Sequence, residues 1–487
     1  KKKMAETAPE VVNTDVSSQA ETPMAIKETE PSQAEMPDTD AFIVESNNVS
    51  DLTESENQAL KELKQLIQHA LNNGDFAPHQ SLAKQEPLEQ PDNAEEETMS
   101  ETKEVESMDL AEDDGAKTVE AIEETIVAVS FSAETSTKAE IDGSCKEQVF
   151  IWGIPLLQDE RSNVVLLKFL RARDFKVKDA FTMLKNTIQW RKEFGIEELY
   201  EQNLDDMEGL GKAVFMHGCS REGHPVCYNV YGQFKEKELY HKTFSDEDKR
   251  ERFLKWRIQF LERSIRKLDF CPGGISTIVQ VNDLKDSPGP GKWELRQATK
   301  QALHLLQDNY PEFVAKQVFI NVPWWYLAVN RMISPFLSQR TKSKFVFASP
   351  SKSTETLLKY KAAEKIPVRY GGVCKDGEFS NEEAITELVV MPSAKRTVEF
   401  AVPEACVMTW EVRVVGWEVS YGAEFVPDDK DGYTVIIQKA KKITPKEEIV
   451  SNSFKLSEPG KIVFTIDNPT PRKKKLLYRY KTKACLD

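Results

Sequence analysis

Between Ile275 and Ala348 the chain alternates β-branched runs with amphipathic ones: strands at Ile275–Val281, Gln317–Val322 and Phe345–Ala348, helices at Trp293–Leu306 and Trp324–Leu337. That order leaves few folds open. Successive parallel strands need right-handed crossovers, and the crossover helices cover the faces of the sheet, so this stretch reads as an α/β domain. Its strands Ile278-Val279-Gln280-Val281 and Val318-Phe319-Ile320-Asn321 are apolar at most positions, as strands facing a core or a lined cavity must be.

The flanks have different periods. Upstream, Val164, Leu167 and Leu170, then Ala180, Met183, Leu184, Ile188 and Trp190, mark two helices broken at Arg173-Asp174-Phe175, a helical lobe over 150–200. The α/β domain over 205–375 opens with a hairpin, Ala213–Met216 and Val226–Tyr231 around the turn Arg221-Glu222-Gly223-His224. A helix capped at Ser245-Asp246-Glu247-Asp248 follows, carrying Phe253, Trp256, Phe260, Ile265 and Leu268 toward a core. From 381 to 487 the period falls to two: Met408, Trp410, Val412 and Val414 alternate with Thr409, Glu411 and Arg413. Further strands are expected at Val398–Val402, Tyr433–Gln438, Ile449–Leu456, Lys461–Ile466 and Leu476–Lys481, which together predict an antiparallel β-sandwich.

Residues 1–150 carry 11 Lys and Arg against 35 Asp and Glu, a net of −24, and the remaining residues carry 54 against 45, a net of +9. Residues 1–145 are also poor in aromatics, too little apolar area to offset the entropy of ordering, and are expected to be disordered. Within them Thr53-x-x-Glu56 can form a capping box ahead of Leu60, Leu63, Ile67 and Leu71, a short amphipathic helix over 53–71 that either lies on a membrane or a partner or, the favoured reading, stays in a solvated acidic tail. A basic body with an acidic tail suits an anionic surface, nucleic acid or the cytoplasmic leaflet. No apolar run approaches the ~20 residues of a membrane span, and the N-terminal part has no signal-peptide core. The first methionine is Met4, and position 1 is arbitrary. Seven scattered cysteines, none in C-x-x-C spacing, indicate neither a disulfide framework nor a metal site, so a cytosolic protein is expected.

Catalytic signatures are absent from the sequence. Gly289-Pro290-Gly291-Lys292 lacks the other positions of a phosphate loop, Asp286 and Trp293 standing where Gly and Ser or Thr are needed. No H-E-x-x-H or G-x-S-x-G run occurs, and an enzyme is not expected. Two other features carry more. After Pro323, Trp324, Trp325, Leu327, Met332, Ile333 and Phe336 cover more than one face of a helix, which fits either burial all round or a lid over an apolar cavity. Arg472, Lys473, Lys474 and Lys475, with Arg479, Lys481 and Lys483, place seven cations in twelve residues without an acid, either a solvated or nuclear-localisation-like run or a contact for anionic lipid.

Several motifs, in order, resemble a known family. Leu166-Leu167-Lys168-Phe169-Leu170-Arg171-Ala172-Arg173 with Trp190-Arg191-Lys192 is similar to the N-terminal lobe of CRAL-TRIO lipid-transfer proteins. Asp283-Leu284-Lys285, Gln307-Asp308-Asn309-Tyr310-Pro311-Glu312, Phe319-Ile320-Asn321-Val322-Pro323 and Ile366-Pro367-Val368-Arg369-Tyr370-Gly371-Gly372 resemble that family's later signatures. The sandwich resembles a GOLD (Golgi dynamics) domain, and an acidic leader before CRAL-TRIO and GOLD is the architecture of the plant patellins. The implied fold class is multidomain: a disordered acidic N-terminal region, an α-helical lobe plus α/β CRAL-TRIO lipid-binding domain, and an all-β GOLD sandwich.

The resemblance implies one bound phospholipid and no other cofactor, its tails inside the α/β domain. Arg173, Glu312, Thr341 and Lys344 match positions that meet a phosphoinositide headgroup, where Arg and Lys suit phosphate and a carboxylate accepts inositol hydroxyls. The second position of the basic pair is Asp174, which would repel phosphate, and Ile278 and Gln280 stand where phosphatidylcholine binders present hydroxyls. The expected partners are phosphoinositide-containing membranes and, through the GOLD domain, membrane or trafficking proteins, with no nucleic acid. The expected setting is the cytoplasm, peripherally on plasma membrane, endosome or cell plate, in trafficking and cell-plate formation. Two alternatives stay open: an interaction scaffold acting through the GOLD domain, and a carrier of a small apolar ligand.

Overall fold

The computed structural model describes residues 45–76, 148–204, 207, 209–288, 292–324, 343–380, 383–429 and 431–484. Its contacts divide the chain into two compact units, one drawn from Ile43–Met216 and Cys227–Val346, the other from His217–Val226 and Phe347–Asp487. The second unit takes in the segment from Phe347 to 375, which the sequence assigns to the α/β domain.

The first unit begins with α1, Glu54–Asn73. Thr53 and Glu56 form the capping box read from the sequence, with Glu56 N donating to Thr53 Oγ1 at 3.3 Å and Thr53 N to Glu56 Oε2 at 2.9 Å. Gly74 ends the helix in the left-handed region, at φ +72°. The position of α1 differs from the expectation of a helix in a solvated tail. Leu60, Leu63 and Ile67 are buried in the same core as Val164, Leu167 and Ile188, because a stripe of that width needs apolar cover and the lobe helices supply it. Lys192 Nζ donates to Phe76 O at 2.7 Å and Asn47 Nδ2 to Gly274 O at 2.9 Å, fixing both ends of the segment.

A short ladder, β1 (Phe150–Ile151) with β2 (Ile154–Pro155), leads into α2, Glu160–Ala172. Asp159 caps α2, accepting from Arg161 N at 2.8 Å. Asp174 and Phe175, at φ +48° and +59°, make the break before α3, Val177–Phe194, and Gly195 at φ +68° separates α3 from α4, Ile196–Glu201. A five-stranded sheet of order β3-β4-β5-β6-β7 follows: Val214–Cys219, Pro225–Val230, Ile278–Asp283, Val314–Ile320 and Phe345–Phe347. Strands β5 and β6 are parallel, Gln280 opposite Gln317, as the alternation of strand and helix requires. Between β4 and β5 run α5 (Lys237–Phe244) and α6 (Glu247–Ile265, capped by Asp246), and α7 (Trp293–Asn309) crosses from β5 to β6.

The second unit holds α8 (Ser353–Tyr360) and a sandwich of two antiparallel sheets. One has the order β13-β10-β15-β8 and the other β12-β11-β14-β9, where β8 to β15 are Thr386–Val390, Ala394–Val402, Cys406–Val415, Val419–Pro427, Val435–Ile443, Val450–Leu456, Gly460–Asn468 and Lys474–Ala484. Strands β8 and β11 were not expected from the sequence. The inner faces meet at Trp410, Tyr421 and Phe464, and Trp410 Nε1 donates to Tyr421 OH at 2.8 Å, which satisfies the buried indole. Arg479 grips Glu411 through Nε at 2.9 Å and Nη2 at 2.7 Å, both groups buried.

Candidate functional site

The Tyr310-Pro311-Glu312 turn is held from below. Tyr310 is buried among the rings of Trp152 and Trp190, and its hydroxyl donates to Glu262 Oε1 at 2.8 Å. Arg191 closes the same network with two bonds to Glu262, at 2.6 and 3.0 Å, which hold the guanidinium above its usual range despite burial. Phe313 packs edge-on against Trp152 at 4.6 Å between centroids. With its neighbours on both sides anchored, Glu312 is held in the left-handed region at φ +55°, costly for a residue with a Cβ and tolerated where the surroundings over-determine it.

Lys344, just before β7, places Nζ 2.5 Å from Glu312 Oε2, and both side chains are largely shielded. From the other side Lys168 of α2 donates to Ser276 O at 2.8 Å and to Glu312 O at 3.0 Å, with Nζ 4.4 Å from the Phe313 centroid. Burial pushes the Lys168 ammonium down to about 7; the Glu312 charge counteracts this, while Arg171 and Lys344 add to it. Two lysines from distant elements therefore converge on one residue, Lys344 on its carboxylate and Lys168 on its backbone carbonyl. The group can take a phosphate on its cations and hydroxyl donors on Glu312.

Of the residues expected here, Glu312 and Lys344 are brought together. Arg173 forms the C-cap of α2 and donates from Nη1 to Ala172 O at 3.1 Å, so the cation that α2 delivers to Glu312 is Lys168, which the sequence reading did not select. Arg171 turns the other way, to Glu45 at 3.3 Å. Asp174 lines a cleft of about 390 Å³ with Glu45, Asp51, Glu56, Arg171 and Phe175. Thr341 and the lid residues Trp325, Leu327, Met332, Ile333 and Phe336 lie outside the described residues; Trp324 is described and is 81% exposed.

The basic run of the sandwich is largely internally paired. Lys475 bonds Glu387 at 2.6 Å, Arg479 bonds Glu411, and Lys481 and Lys483 lie 3.6 and 3.5 Å from Glu378. Lys474 is buried with Nζ 5.5 Å from the Trp417 centroid, and burial lowers its pKa. Arg472 and Lys473 remain exposed at the β14–β15 turn, and Arg472 lies over the same indole at 5.9 Å. Trp417 itself is 60% exposed. The sequence reading missed it; its signal is an aromatic in the Gly416-Trp417-Glu418 turn, where alternation has ended.

Comparison with known proteins places these features in a family context. Residues 130–186 match the family model described as "CRAL/TRIO, N-terminal domain", 210–372 "CRAL/TRIO domain", and 391–475 "Patellin-1-like, C-terminal GOLD domain". "Patellin-3" of Arabidopsis thaliana is 64% identical over 343 residues, 69% of this chain and 70% of that protein. "Patellin-5" of the same plant is 65% identical over 343 residues, and there the match spans 51% of the relative, about half its length. "Phosphatidylinositol transfer protein SFH5" of Meyerozyma guilliermondii is 31% identical over 265 residues, 51% of this chain and 74% of that protein.

Proposed function

The chain belongs to the patellin family, and from that premise we propose that it binds a phosphoinositide in its CRAL-TRIO unit and carries or presents it at membranes. The observation that carries this reading is the Glu312–Lys344 pair at 2.5 Å with Lys168 behind it. In this pair the two charges satisfy each other. A phosphoinositide offers each a better partner, phosphate oxygens for Lys344 and inositol hydroxyls for Glu312, so the pair opens without stranding a charge. Lys168 adds positive potential from beneath, where the apolar surroundings strengthen it.

Membrane attachment is peripheral in this reading. No described helix is long and apolar enough to cross a bilayer. The GOLD unit supplies the contact through Arg472 and Lys473 at anionic headgroups and Trp417 at the interface, where an amphipathic ring is favoured. The role that follows is in membrane trafficking, with cell-plate formation in dividing cells as its setting. The carrier of a small apolar ligand has nothing comparable behind it, since such a ligand would leave the three charges unused.

Flotation of the full chain with vesicles of single phosphoinositides tests the proposal. Selective binding is expected, with at least a tenfold loss in the double variant Lys344→Ala plus Glu312→Ala. Binding that survives the double substitution and follows only total anionic charge would sink the headgroup reading and leave the GOLD surface as the membrane contact.

A further inference from the structure

Arg257 lies on α6, 9% exposed, with its Nη1 buried and without an acceptor. No carboxylate pairs with it among the described residues. The contrast with Arg191 is direct: that guanidinium, equally buried, has Glu262 at 2.6 Å and Glu197 at 3.3 Å. A buried cation without a counter-charge is strongly destabilising, and a fold that keeps one has a use for it.

Around Arg257 the described residues supply an aromatic ring, a thiol and a phenol. Its guanidinium carbon is 5.6 Å from the Phe260 centroid. Burial pushes the Cys227 thiol and the Tyr231 phenol up, and the Arg257 charge acts on both in the opposite direction, so it lies near Cys227 of β4 and Tyr231 just beyond the strand. Between these two, Asn229 donates to Asn282 Oδ1 at 2.8 Å, and Asn282 to Gln317 Oε1 at 3.4 Å, so a row of amides crosses β4, β5 and β6. None of these groups belongs to the Glu312–Lys344 pair.

We propose that Arg257 anchors the oxyanion of a second ligand, a long-chain amphiphile bearing one negative charge. The guanidinium fork matches the two oxygens of a carboxylate or of a phosphodiester. Partly buried Trp256 and Phe260 on the same helix offer apolar surface to its chain. The proposal rests on the reading that the CRAL-TRIO unit holds lipid, and extends it to a lipid class that needs no inositol.

The test uses the full, delipidated chain and charged and neutral probes of equal chain length: oleate against oleyl alcohol, and dioleoylphosphatidylglycerol against dioleoylglycerol. In the unaltered protein at least one charged probe should bind about tenfold better than its neutral counterpart. Arg257→Gln should bring that ratio close to one, and Arg257→Lys should restore part of it. The pair that responds identifies the source of the oxyanion. If lipids bind but neither ratio depends on Arg257, this proposal alone falls; if no lipid binds the unaltered protein, the lipid-holding reading falls with it. Thermal melting gives a second readout, because Arg257→Leu removes an unpaired buried charge and should raise the melting temperature of the lipid-free protein. A clear drop would mean that Arg257 is structurally paired, and would overturn the proposal.

Discussion

Lys168 stands in a run, Val164–Leu170, in which every residue is buried. That run was readable in the sequence: six apolar residues around one lysine cover all sides of a helix, so the lysine has no solvent side to turn to. Motif matching drew attention instead to Arg173, five residues on, where the helix has already ended. Glu312 and Lys344 were selected through the family resemblance, and the structure sets the two in one ion pair. The pH dependence belongs to this scale. A lysine held down to about 7 is neutral in the folded protein between pH 7 and its unfolded value near 10.4, while the unfolded chain still binds the proton. Stability should therefore rise with pH across that window, and the rise should shrink in Lys168→Met. An anionic headgroup favours the charged form, so phosphoinositide affinity should fall between pH 7 and 9, as flotation at pH 6.5 and 8.5 would show. Equal affinity at both values would remove Lys168 from the site.

Among the elements, strands with regular alternation were legible and the irregular ones were not. In β11, Gly422 interrupts the apolar pattern and the register with β12 shifts between Tyr421 and Ala423; β8 is five residues long and follows two glutamates. Both find their places through neighbours, β11 between β12 and β14 and β8 beside β15, which is non-local information that periodicity does not contain. For α1 the opposite held. Its helix and cap were plain in the sequence, but its partners were over 80 residues away, and the surrounding acidity favoured a solvated reading. Leu63 of α1 is wholly buried. Leu63→Ala should cost about 2–5 kcal/mol by denaturant unfolding, whereas a helix merely resting in a tail would lose almost nothing.

At the scale of the whole molecule, a net −15 combines an acidic leader and a basic remainder. If the basic remainder meets anionic lipid as proposed, the charges of the leader should compete with that lipid, within the reach of salt screening. Neutralising the six acids from Glu86 to Glu97 should raise binding to anionic vesicles severalfold at 20 mM salt, where the Debye length is about 20 Å, and have little effect at 0.5 M, where it is about 4 Å. An unchanged affinity at low salt would show that the leader's charge does not reach the membrane-facing surface.

The burial of α1 alters what a cut in this chain means. Residues 77–147 join two anchored ends, so a protease that severs them anywhere leaves Glu54–Asn73 held in the lobe by packing and by the polar contacts at either end of the segment. The nicked protein would migrate as two fragments in denaturing gels and as one species in a native column. A version shortened to start at 148 would instead uncover the apolar surface of the lobe that Leu60, Leu63 and Ile67 now cover, and would gain a sticky patch that has nothing to do with lipid.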